Sequence, residues 1–232
     1  MGIFRFKQFN VNDDGSSMKV GTDAVLLGAW CDTGSSKKIL DIGTGTGIIA
    51  LILAQRSVPE AHIDAVELLP NEAAQARQNV QGSPWPEKIN VIQTGIQHHK
   101  PTELYDMIVC NPPYFVKSLQ PPDAGRATVR HTNTLTHIDL IHAVAHMMNP
   151  KGNFHLILPT REAGHFIEAA KEAGLFLTRL TRFYSRNGKP QQRSLMTFGA
   201  QQVLLQEDSL YLYGPDRRKS EAYITLTSDF YL

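Results

Sequence analysis

Cysteine is nearly absent from this 232-residue chain: Cys31 and Cys110 stand alone, with no paired spacing. That excludes a disulfide framework and a cysteine zinc site, and it suits a reducing cytoplasm. Long apolar runs are missing as well. No stretch reaches the roughly 20 residues of a membrane span. Residues 1–10 carry Arg5 and Lys7 and lack the apolar core of a signal peptide. Excess charge of one sign is also absent, with 23 Lys and Arg against 22 Asp and Glu and a formal net charge of +1. Such a balance argues against a disordered chain and against a uniformly basic nucleic-acid binder. No Walker loop and no G-x-S-x-G elbow occurs. His142 and His146 have a metal-like i, i+4 spacing, but Ala143-Val144-Ala145 between them lacks the glutamate of a zinc-protease helix. They read as ordinary helix residues, and no metal is expected.

What is present is a core-forming composition, 42% hydrophobic, in which strand and helix signals alternate from residue 37 onward. Strands are expected at 38–42, 62–67, 89–93, 105–110 and 154–158. Helices are expected at 48–56, 71–80 and 161–173, and from an N-cap at Thr136 through Met148. Residues 176–184 and 194–198 read as a closing hairpin around Asn187-Gly188. The alternation predicts an α/β fold with a doubly wound, mostly parallel sheet covered on both faces, to which the hairpin adds an antiparallel strand. No internal repeat or clear linker divides the chain. Residues 115–131 form one long polar loop, a length usually found in functional or disordered segments.

Two motifs carry chemistry. Asp41-Ile42-Gly43-Thr44-Gly45-Thr46-Gly47 sits at a strand-to-helix turn, where glycines admit a ligand close to the backbone and a helix start offers free N–H groups. Its G-x-G-x-G spacing differs from the G-x-G-x-x-G of dinucleotide sites. Glu67 ends the next strand, where a carboxylate can accept both hydroxyls of a ribose. Asp41 at the end of the first strand can meet a ligand amino group. The second motif, Asn111-Pro112-Pro113-Tyr114, leaves the fourth strand. In a doubly wound sheet the first and fourth strands adjoin at the switch point, so Asp41 and Asn111 are expected to face one crevice.

The second motif suits a planar amine. Such a nitrogen is a poor nucleophile because its lone pair is delocalised into the ring. The Asn111 side-chain oxygen and the Pro112 carbonyl can accept its two N–H bonds and favour a tetrahedral nitrogen. Pro113 biases Pro112 toward an extended backbone, and Tyr114 offers a face for a base to stack on. Positive charge is concentrated in Arg217-Arg218-Lys219 and in the run from Arg179 to Arg193, where five cations occur without an acid. From it Arg186, Lys189 and Arg193, with Arg126 and Arg130 of the long loop, are candidate phosphate contacts.

The segment Met18 to Trp30 (MKVGTDAVLLGAW), the glycine loop, Asn111-Pro112-Pro113-Tyr114 and the tail from Gly214 through Tyr223 together resemble the bacterial tRNA1(Val) (adenine(37)-N6)-methyltransferases over nearly the whole chain. The resemblance implies a seven-stranded, Rossmann-like class I methyltransferase that uses S-adenosylmethionine (SAM). It implies one methyltransferase domain, with 1–36 covering the SAM site, 37–200 as core and 201–232 as extension. The acceptor would be N6 of the adenosine 3′ of the anticodon in a valine tRNA, and the enzyme would act as a cytoplasmic monomer.

By the same resemblance, Asn111, Pro112, Pro113 and Tyr114 are catalytic. Lys19, Gly21, Thr22, Asp23, Asp41, Gly43, Gly45, Gly47, Glu67, Leu68, Ile96 and Asn111 line the cofactor. One departure stands out: Gly95 occupies the place where similar enzymes carry an acid facing the SAM adenine, and SAM binding is expected to survive it. The competing readings are an amino-methyltransferase acting on a protein glutamine, an rRNA guanine or a DNA adenine, and a non-catalytic SAM- or RNA-binding module.

Overall fold

A computed structural model describes residues 2–14, 16, 19–112 and 135–231. Its elements in chain order are β1 (Ile3–Arg5), β2 (Asn10–Asn12), α1 (Thr22–Trp30), β3 (Lys38–Ile42), α2 (Ile48–Arg56), β4 (His62–Glu67), α3 (Pro70–Gln81), β5 (Ile89–Gln93), a 3-10 turn (Ile96–His98), β6 (Tyr105–Cys110), α4 (His137–Met147), β7 (Met148–Pro159), α5 (Thr160–Glu172), β8 (Phe176–Tyr184), β9 (Gln191–Gly199), β10 (Gln206–Tyr211) and α6 (Glu221–Thr227). The main sheet has eight strands in the order β10-β8-β9-β7-β6-β3-β4-β5. Only β9 runs against the others, since it is antiparallel to both β7 and β8 while the remaining pairs are parallel. The strands expected from the sequence are all present, and β10 adds an eighth beyond the hairpin.

The central strands read as continuous apolar runs because both faces are buried. Ile39, Met107, Val109 and Ile157 point into a core shared with α1 and α2. Their neighbours Leu40, Ile108, Cys110, Leu156 and Leu158 point into the opposite core, shared with α4 and α5. Helix α4 starts where Thr136 predicts: its hydroxyl accepts from the Asp139 amide at 3.1 Å, and Asp139 Oδ2 accepts from the Thr136 amide at 3.3 Å. This capping box fixes the re-entry into the core, a contribution of about 1 kcal/mol.

Helix α1 is buried from Ala24 through Trp30. An apolar surface all round gives no 3.6-residue periodicity, so the element has no helical signature in the sequence. It packs tightly on α2, where a Cβ at Gly28 would stand 2.9 Å from Ile52 Cγ2. Ile52 is itself fully buried. Gly28→Val therefore overpacks the interface and should lower stability by about 1–3 kcal/mol, read as a lower midpoint in urea with an unchanged slope. At its far end Trp30 donates from Nε1 to Thr181 Oγ1 at 2.8 Å, beneath the Arg179 guanidinium at 4.3 Å. The helix thus ties the N-terminal segment to the β8–β9 hairpin. Among the described residues no helix is long and apolar enough to cross a membrane.

Candidate active site

The carboxyl ends of β3, β4, β5, β6 and β7 share one edge of the sheet, and the candidate residues gather there. Asp41 lies one residue before the end of β3 and is completely buried. Its Oδ2 accepts from Thr44 Oγ1 at 2.6 Å, while its Oδ1 has no hydrogen bond of good geometry. Burial pushes the carboxyl up to about 7, helped by the nearby Glu67 and partly offset by the Thr44 hydroxyl and the Ala50 amide. A buried acceptor without a partner, beside a loop of bare backbone, suits a cationic ligand group.

The loop itself is shaped by its glycines. Gly43, Gly45 and Gly47 have φ of 71°, 55° and 83°, a left-handed backbone that other residues adopt only with strain. A Cβ at Gly43 or Gly45 would meet nothing within 4 Å, so these positions face open space on the ligand side. A Cβ at Gly47 would lie 3.5 Å from Ala76 Cβ, so the third glycine serves the packing of α2 on α3. The loop is held down by β4: the Gly43 and Thr44 amides donate to Val66 O at 2.9 and 3.0 Å. Glu67 bridges it to the next turn, accepting from Gly45 N at 3.0 Å on Oε2 and from Leu69 N at 2.9 Å on Oε1. Each carboxylate oxygen keeps a second lone pair for a hydroxyl.

Asn111 follows Cys110, the residue that pairs with Ile42 of β3. Asp41 and Asn111 therefore leave adjacent parallel strands at the same edge, as expected from the sequence. Asn111 is partly exposed and Pro112 is buried. Pro113, Tyr114, Arg126 and Arg130 lie outside the described residues.

The N-terminal segment reaches this edge through two sets of contacts. Lys19 Nζ donates to Asp13 O at 2.8 Å, and the Val20 amide donates to Asp13 Oδ2 at 3.2 Å. Gly21 caps α1 in an extended conformation, with Thr22 as the first helical residue. Asp23, in the first turn, accepts from Arg193 Nε at 2.7 Å. Arg193 pairs across the sheet with Pro159, the last residue of β7. Two residues assigned to different ligands, Asp23 to cofactor and Arg193 to phosphate, are thus partners of each other, and their ion pair pins the start of α1 at the active edge.

The sequence reading missed Asn79. Its amide donates to Asn12 O at 2.9 Å and to Thr46 O at 2.8 Å, while its Oδ1 accepts from Asn12 N at 2.9 Å. One buried side chain joins β2, α3 and the glycine loop. Asn79 stands three residues after Ala76 and six after Ala73, on the helix face that these alanines bury, and that spacing was the available signal.

The apparent basic cluster is largely neutralised in space. Arg179 faces Asp208 at 3.6 Å and Arg182 bonds Glu207, both acids coming from β10. Arg186 and Lys189 remain exposed in the β8–β9 turn. Because β8 runs parallel to β7, this turn projects from the same carboxyl edge as Asn111. Leu68 is 43% exposed beside Glu67. Ile96, in contrast, is buried in the core on the α4 side. His146 Nδ1 bonds back to the His142 carbonyl at 2.9 Å.

Comparison with known proteins agrees with this geometry. The Methyltransferase small domain model matches residues 16–162. A tRNA1(Val) (adenine(37)-N6)-methyltransferase of Histophilus somni is 42% identical over 99% of this chain and 97% of its own length. The protein of the same name from Haemophilus influenzae is 42% identical over 100% of this chain and 99% of its own. Among solved structures, a predicted O-methyltransferase from Agrobacterium tumefaciens aligns over 90% of this chain and 96% of its own with a TM-score of 0.70; at 20% identity this likeness shows the fold. The chain belongs to the tRNA1(Val) (adenine(37)-N6)-methyltransferase family.

Proposed function

We propose that this chain methylates N6 of adenosine 37, the base 3′ of the anticodon, in the valine tRNA for which its relatives are named. The observation that carries the reading is the placement of Asn111-Pro112 at the end of β6 beside the Asp41 glycine loop at the end of β3. The fit to SAM rests on the partnerless Asp41 Oδ1 and on the open space at Gly43 and Gly45. In this reading Asp41 meets the amino end of the cofactor, the loop from Gly43 to Gly47 lies against its methionine portion, and Glu67 accepts the ribose hydroxyls. Leu68 and the Ile96 turn flank the base, and Lys19, Gly21, Thr22 and Asp23 close over the methionine end. SAM supplies an electrophilic methyl on a sulfonium centre.

The chain's own part is orientation. Asn111 Oδ1 and the Pro112 carbonyl accept the two N6 hydrogens, which turns the nitrogen lone pair toward the methyl group, and Tyr114 stacks on the base. As the nitrogen–methyl bond forms and the sulfur–methyl bond breaks, the sulfur leaving as a neutral thioether, the amine becomes cationic and the two oxygens stabilise that charge. The product ammonium is acidic enough to release its proton to water, so no strong base is required. Two buried, unpaired cysteines suit a cytoplasmic protein.

The test is transfer of labelled methyl from SAM to total tRNA of a strain lacking this activity, with Asn111→Ala as control. Label in N6-methyladenosine of tRNA supports the reading. Label in protein or DNA and none in tRNA contradicts it. Docking of tRNA is assigned to the β8–β9 turn, with Arg126 and Arg130. Replacing both Arg186 and Lys189 by alanine should weaken tRNA binding and flatten the dependence of log Kd on log salt by about 1.4, the contribution of two single-strand phosphate contacts. An unchanged slope contradicts that assignment.

A further inference from the structure

We propose that Gln97 is a specificity-determining residue for the cofactor, its side-chain amide reading the adenine edge in place of an acid at position 95. This inference rests on the SAM reading above.

The geometry starts from Glu67. Its register partner is Gln93, the last residue of β5, and the Thr94 amide donates to Glu67 O at 2.9 Å. Thr94 and Gly95 therefore lie directly beside the carboxylate that would hold the ribose. The glycine loop occupies the β3 side of Glu67, since Gly45 N bonds its Oε2. A base attached to that ribose is directed to the β5 side, over the exposed Leu68.

At that place three side chains converge on one space. A Cβ built on Gly95 would lie 3.2 Å from Gln97 Oε1, 3.6 Å from His98 Nδ1 and 3.6 Å from Leu68 Cδ1. An acidic side chain at 95 would thrust its oxygens into the region Gln97 Oε1 already borders, so the acceptor absent at 95 is supplied from 97. The turn that presents Gln97 is anchored: the His98 amide donates to Gly95 O at 2.9 Å, the His99 amide donates to Ile96 O at 3.2 Å, and Ile96 is buried in the core. Gln97 itself is exposed. It is therefore positioned by its neighbours and carries no packing role.

An amide is a different reader from a carboxylate. It offers one acceptor and two donors on a fork, where the carboxylate only accepts. Oε1 can take an N6 hydrogen of adenine while Nε2 donates to N1, a two-bond fork on the N1 edge like the one a glutamine makes to N6 and N7 on the other edge. The amide can also turn over. In hypoxanthine the amino group is replaced by an oxygen and N1 carries a hydrogen, so the pattern on that edge is reversed. A flipped Gln97 satisfies it, and a carboxylate cannot.

Calorimetric titration of the full chain with S-adenosylhomocysteine and with its inosyl analogue tests this without an activity measurement. The unmodified chain should bind both within about 5-fold, and Gln97→Ala should weaken the adenosyl ligand by about 10-fold with an unchanged Tm. Gln97→Glu should keep the adenosyl ligand and reject the inosyl one by a further 10-fold or more. Adding Gly95→Asp to Gln97→Ala should recover adenosyl affinity and impose the same rejection. Adenosyl affinity unchanged in Gln97→Ala, or lost only in His98→Ala, overturns the assignment while the SAM reading stands. Failure of the unmodified chain to bind either ligand overturns both.

Discussion

Asn111→Ala is expected to lower kcat for tRNA methylation by about 10²- to 10³-fold, the usual loss when one preorganised dipole facing a developing charge is removed. The effect is local. Asn111 directly follows Cys110, whose pairing with Ile42 fixes the end of β6, so truncation at Cβ removes the amide without moving the strand. What is lost is one of two acceptors for the amine. The remaining acceptor is a backbone carbonyl and survives substitution, which is why some activity should persist. Single-turnover kinetics with saturating SAM read this directly. A rate within 3-fold of the parent would show that the Asn111 side chain does not hold the reacting amine.

Asp41→Asn should act in two directions. The folded chain holds the Asp41 proton up to about pH 7, well above the usual carboxyl range, because the group is buried and faces Glu67. A folded pKa above the unfolded one means that this group's contribution to stability is fully present below about pH 4 and is lost as the pH rises through about 7. Asparagine keeps an acceptor for Thr44 and never ionises. The variant should therefore melt above the parent at pH 8, by an amount on the order of 1–4 kcal/mol, and the gap should close as the pH is lowered toward 4. Its affinity for SAM should fall by about 10-fold or more, because the charge that meets the cationic end of the ligand is gone. Such a gain in stability with a loss of binding marks a site strained for function. A variant less stable than the parent at pH 8 would contradict this account of Asp41.

The sequence disclosed the central fold because its central strands are buried on both faces and bounded by glycines and helices. It disclosed Asp41, the glycine loop, Glu67 and Asn111 because each sits at a strand end, where a local pattern fixes position. Other features had no local signature. Helix α1 is apolar on every side and so lacks a period. β10 is an edge strand whose exposed Gln206-Glu207-Asp208-Ser209 shows no buried alternation. The acid-free run from Arg179 to Arg193 looked like a phosphate patch because its acids come from elsewhere, Glu207 and Asp208 in β10 and Asp23 in α1. Pairing between distant segments is set by the sheet order, which no short window records. Asn79 illustrates the same point, since its role is defined by Asn12 and Thr46, which the chain brings to it from two other elements.

The central claim is that the crevice between the ends of β3 and β6 transfers methyl to the exocyclic amine of adenosine 37. The most direct measurement is nucleoside mass spectrometry of a valine tRNA transcript after incubation with the protein and SAM, beside the same transcript carrying guanosine at position 37. The account predicts one N6-methyladenosine per adenosine-37 transcript and none in the guanosine transcript. Equal methylation of the two transcripts, or methyl groups found on another position or atom, would contradict it.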